Sequence, residues 1–69
     1  MAALSLKIIA MSQTHHAWLI DGNVYLAPAN ALMDMSGIPL GARWECSIAH
    51  WRTYWDVYAQ RGFKDVTDE

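Results

Sequence analysis

The sequence predicts an α+β domain, a small antiparallel sheet (N-terminal strand plus β-hairpin) covered by a short helix and a long aromatic-rich C-terminal helix. Three patterns point there. Residues 4–10 alternate, with Leu4, Leu6, Ile8 and Ala10 set against Ser5, Lys7 and Ile9, which is the period of a strand. Asp21-Gly22-Asn23 separates two apolar runs, Ala17–Ile20 and Val24–Leu26, as a hairpin turn does. Trp44, Ile48, Trp51, Trp55 and Tyr58 step by four, three, four and three, which returns them to one face of a helix.

Taken in order, a strand over 4–11 is followed by a polar connection, Ser12–His16. Gly and Asn tolerate positive φ, so the hairpin turns at Asp21-Gly22 or at Gly22-Asn23. The first choice sets Trp18 across from Tyr25 and Leu19 across from Val24, with the aromatic pair on one face and the aliphatic pair on the other; the second shifts the register. Pro28 suits the first turn of a short helix over Ala29–Met35, and Gly37 suits its left-handed end. After the Pro39–Gly41 connection, one long helix is expected from about Ala42 to Gln60. Gly62 ends it and Phe63 folds back on it. The domain is expected to span 1–63, with 64–69 a polar, frayed tail.

At 69 residues the chain fits one domain, of a size that buries only about 60% of its unfolded surface. Its one cysteine excludes an intrachain disulfide, so self-association is the expected aid to stability. A chain that is 54% hydrophobic and 17% charged is too apolar to be disordered. A net charge of −2 gives no bulk attraction to nucleic acid or to an anionic membrane. The N-terminal stretch lacks a positive leader, is interrupted by Lys7, and is too short to span a bilayer, so the expected location is the cytoplasm.

Several constellations bear on chemistry. On the expected long helix the polar arc holds only Glu45, Arg52, Thr53, Asp56 and Gln60, which leaves more apolar surface than a core-facing stripe requires. The excess lies around Cys46, His50, Tyr54 and Val57. Trp51, Tyr54, Trp55 and Tyr58, with Arg52 and Arg61 at the rim, are the expected partner contacts, because Trp, Tyr and Arg dominate interface hot spots. Cys46, His50, His15 and His16 are the residue types zinc selects. Adjacent loop histidines and the absence of any C-x-x-C spacing argue against a site, and no metal or cofactor is expected. Cys46 and His50 lack a third orienting residue and an oxyanion hole, so no enzyme is expected. The Trp18/Tyr25 pair is an aromatic platform without flanking cations.

The expected function is therefore that of a non-enzymatic protein-binding module, homodimeric, acting by steric occupation of a partner protein's surface. In profile, being small, acidic and aromatic-rich, the chain is similar to phage-encoded inhibitors of host machinery. The alternative is a small DNA-binding accessory protein of winged helix-turn-helix type, with Ala29–Met35 and the helix carrying Arg43 and Trp44 as the helix pair. One arginine beside Glu45 equips such a recognition helix poorly.

Overall fold

The computed structural model describes residues 6–66. Five strands form one antiparallel sheet: β1 (Leu6–Met11), β2 (His15–Ile20), β3 (Asn23–Pro28), β4 (Arg43–Ser47) and β5 (Lys64–Asp65), in the order β4-β3-β2-β1-β5. Two short helices, α1 (Ile48–Thr53) and α2 (Trp55–Gln60), lie between β4 and β5. The α+β class is as expected. Leu4 and Ser5 of the expected first strand, and residues 67–69 of the expected tail, lie outside the described residues.

The first four strands form a meander. Asp21 (φ 52) and Gly22 (φ 78) both adopt positive φ, the requirement of the tight turn whose twist matches its strands. This fixes the first of the two registers, Trp18 opposite Tyr25 and Leu19 opposite Val24. β4 and β5 run in the same direction on opposite edges of the sheet. Four inter-strand spacings make about 19 Å. Two six-residue helices, about 9 Å each, carry the chain across that width.

The long C-terminal helix is not formed; no helix among the described residues reaches seven residues. Its expected first turn, Arg43–Ser47, is an extended strand paired with β3. Ser47 then caps α1, its Oγ accepting from the His50 N–H at 3.2 Å. Farther on, the Thr53 hydroxyl donates to the Ala49 carbonyl at 2.9 Å, a back-bond that bends helices, and Tyr54 leaves helical geometry at φ −108, ψ 27. The helical period of the aromatic residues survives only from Ile48 onward. Gly62 (φ 102) ends α2, and the Phe63 N–H reaches the Tyr58 carbonyl at 3.1 Å.

The short helix expected over Ala29–Met35 is also absent. In its place the chain from 29 to 42 makes a loop with one isolated bridge, Met33 to Pro39. Asp34 explains the change. Its Oδ1 accepts from the N–H groups of Ser36 (2.8 Å) and Ile38 (3.0 Å), offering the backbone an alternative to the helical ladder. Lys64–Asp65, expected in a frayed tail, pair with Met11 and Ala10 of β1.

Paired residues share a face, which sorts the sheet into two. Ala10, Ala17, Leu19, Val24, Leu26 and Cys46 face the helices and pack with Trp51, Tyr58 and Phe63. Two bulges, at Ile9 in β1 and Glu45 in β4, turn an extra residue toward the helix side. Ile8, Trp18, Tyr25 and Trp44 form a row across the other face. Ile20 and Ala27, also on that face, are buried apart from the helix-side cluster.

Candidate functional site

The six residues expected at a partner interface separate by environment. Trp51 and Tyr58 are buried, stacked on each other with centroids 4.0 Å apart, and Phe63 closes edge-on at 5.6 Å from Trp51. Their area is already covered by this chain's own sheet. Trp55 is half-buried and lines a shallow cleft of about 260 Å³ with Ile9, Ile48, Trp51, Arg52 and Asp65. Tyr54 is exposed and lies against the His50 ring, centroids 4.4 Å apart and tilted by 34°, while Arg52 is exposed on α1. Arg61 holds its guanidinium 5.6 Å from the Tyr58 ring centroid, a cation–π contact at the surface.

Cys46 is not on the helical flank with His50. It is buried in β4, with Sγ 3.7 Å from the Tyr58 Oη, and that hydroxyl donates to Glu45 Oε2 at 3.0 Å. Burial pushes the Cys46 thiol up, and the nearby Glu45 charge adds to this, while the Tyr58 hydrogen bond opposes it. Burial also pushes the Tyr58 phenol far above its ordinary value, reinforced by its bonds to Cys46 and Glu45. A thiol held protonated in a core is inert packing. His15 hydrogen-bonds Thr14 through Nδ1 at 2.8 Å, and no three His, Cys, Asp or Glu side chains gather as a metal site among the described residues.

The surface that sequence reasoning passed over is the loop between β3 and β4. The Leu40 N–H donates to the Leu32 carbonyl at 2.7 Å, the Asp34 N–H to the Ile38 carbonyl at 2.9 Å, and the Gly37 N–H to the Asp34 carbonyl at 3.0 Å. With the two Asp34 side-chain bonds, these close 32–40 into a miniature hairpin. Ile38 and Ala42 line a cavity with Tyr25 and Ile20, and Pro39 is buried. The remaining apolar side chains point out: Leu32 is 74% exposed, Met33 49%, Met35 fully and Leu40 52%. Trp44, on the strand that follows, is 61% exposed, its indole N–H donating to Asn23 Oδ1 at 3.2 Å. Backbone groups satisfied within the loop let it hold apolar side chains in water without collapsing them inward. The signal available beforehand was the Asp34-Met-Ser-Gly37 turn between apolar residues.

The segments needed for a helix-turn-helix, 29–35 and 42–47, are loop and strand. No helix among the described residues is long and apolar enough to cross a membrane. No family model, curated protein or solved structure matches the chain.

Proposed function

We propose that this chain is a non-enzymatic protein-binding module that acts by occupying a surface of a partner protein and that also associates with itself. The observation that supports this reading is the self-bonded loop 32–40, on which Leu32, Met33, Met35 and Leu40 are all exposed to solvent. Unbranched methionines adapt to varied apolar surfaces, and exposed apolar patches of this kind mark interaction sites. Tyr54, at the break between α1 and α2, and Arg52, in the last turn of α1, add a smaller exposed surface on the helix side.

The test compares two tagged baits in host extract, the wild-type chain and the triple variant Leu32→Ser, Met35→Ser, Leu40→Ser. Proteins retained by the first and lost by the second, with unchanged melting of the bait, support the reading. Identical retention by both baits removes the loop from it.

A further inference from the structure

β4 is an edge strand: β3 pairs with one side of it, and among the described residues no strand pairs with the other. A free edge is a template for another strand, and proteins commonly blunt it with lysine, proline or a bulge. Arg43, Trp44 and Glu45 contain no lysine or proline; the bulge lies at Glu45, at the end of this segment, and leaves Arg43 and Trp44 in regular pairing with β3. The positions show where: Arg43 shares the helix-side face with its partner Leu26, Trp44 shares the open face with Tyr25, and Tyr58 contacts both Glu45 and Cys46. Alternation is thus regular from Arg43 to Glu45 and breaks between Glu45 and Cys46.

We propose that β4 is the seam of a homodimer, in which two copies pair antiparallel about a twofold axis at Trp44. This rests on the self-association stated above and assigns it a surface. A twofold axis perpendicular to the sheet keeps both helix layers on one side only if it passes through a residue position, since directly opposed residues share a face. The regular segment offers three such positions. An axis at Arg43 opposes two arginines, and an axis at Glu45 opposes two glutamates; like charges directly opposite destabilise a pair. An axis at Trp44 instead sets Arg43 of each copy against Glu45 of the other, twice. It also brings together two indoles that are 61% exposed in the single chain and already oriented by Asn23. The row Ile8, Trp18, Tyr25, Trp44 then continues without interruption into the second copy's row.

Sedimentation equilibrium of the full chain and of two charge reversals tests the seam. The wild type is expected at twice its 7.8 kDa mass at micromolar concentration. R43E and E45R, each self-repelling, dissociate about tenfold more readily or worse. An equimolar mixture of the two restores complementary charge at both contacts and returns the doubled mass. If both variants dimerise as the wild type does, the seam lies elsewhere and self-association stands; if the wild type is a monomer, self-association itself fails. Two monomeric variants that do not combine also overturn the seam. Because E45R loses the Tyr58 hydrogen bond and risks misfolding, W44C supplies a second measurement. A short bis-maleimide is expected to join the two copies of W44C, with the wild type as blank because Cys46 is buried. A dimeric W44C that resists joining overturns the proposal.

Discussion

The two faces of the sheet carry comparable aromatic content and use it in opposite ways. Under the helices, Trp51, Tyr58 and Phe63 find one another as well as the sheet, and all three are buried. On the other face Trp18, Tyr25 and Trp44 lie side by side with a loop for cover, and exposure rises toward the β4 edge. The difference lies in how each covering layer satisfies its backbone. A short helix bonds internally and gains stability mainly by burying an apolar face, so its rings turn inward. The 32–40 loop closes on itself through Asp34 and leaves its apolar side chains outside. Aromatic abundance alone therefore does not tell the two faces apart; burial does.

The largest expected effect tests the helix face. Trp51→Ala removes a ring that contacts Trp55, Tyr58 and Phe63 and should cost about 3–5 kcal/mol, comparable to the whole stability of a small domain. Urea denaturation followed by circular dichroism measures this. Trp44→Ala in the same assay, below the concentration of self-association, should cost about 1 kcal/mol or less, because most of that indole is in water. Equal losses at the two tryptophans would erase the distinction between the faces.

Asp34→Ala comes next. It removes the acceptor of two backbone N–H groups, worth about 1–2 kcal/mol within the loop. Hydrogen exchange should speed up at Ser36 and Ile38 while amides of α1 and α2 keep their protection. If helix amides also lose protection, the loop and the helix layer are one cooperative unit rather than two.

The legibility of this molecule from sequence divides along similar lines. The hairpin is legible because Asp21-Gly22-Asn23 between apolar runs demands a tight turn, but its register is set only by the positive φ of Asp21 and Gly22 in the fold; the Gly62–Phe63 stop is legible for a related reason. The long helix misled because Trp44 stands four residues before Ile48, a spacing that fits a helix by coincidence. Arg43–Ser47 also alternates, and Ser47 is a good cap, but the longer pattern overrode both. The loop was misread because Pro28 and Gly37 resemble helix boundaries, whereas Asp34 bonds to the backbone decided the conformation. Of the residues expected at an interface, Tyr54 and Arg52 are exposed, and Trp51 and Tyr58 are buried. Separating them needed the break at Tyr54, a tertiary outcome. Edge position, and with it the role of β4, is a property of the assembled sheet and is invisible to local pattern.

A pH titration probes the helix side more gently. Tyr58 and Cys46 both have folded pKa values raised above their unfolded ones, near 10 and 9. Each raised acid contributes stability that is fully present below the unfolded value and lost as pH rises through the folded one, since the unfolded chain releases its proton first. Melting temperature should hold to about pH 9 and then decline. Tyr58→Phe should lose part of that decline, leaving the share owed to Cys46. An identical alkaline slope in the variant would show that the phenol is ionised as easily in the folded chain as in the unfolded one.

The smallest effect is expected on the loop face itself. Met35 is fully exposed at the tip of the loop, so Met35→Ser should change folding stability by no more than about 0.5 kcal/mol in either direction. The measurement is the same urea titration used for Trp51, at a concentration low enough to exclude self-association. A near-zero result means that nothing within the chain holds this side chain, so any loss of partner retention in the triple loop variant cannot be charged to unfolding at Met35. A loss of 1 kcal/mol or more would place Met35 against this chain's own surface and remove it from the exposed patch. A large loss at Trp51 beside a near-zero change at Met35 would separate apolar surface that the fold covers from apolar surface that it leaves in water.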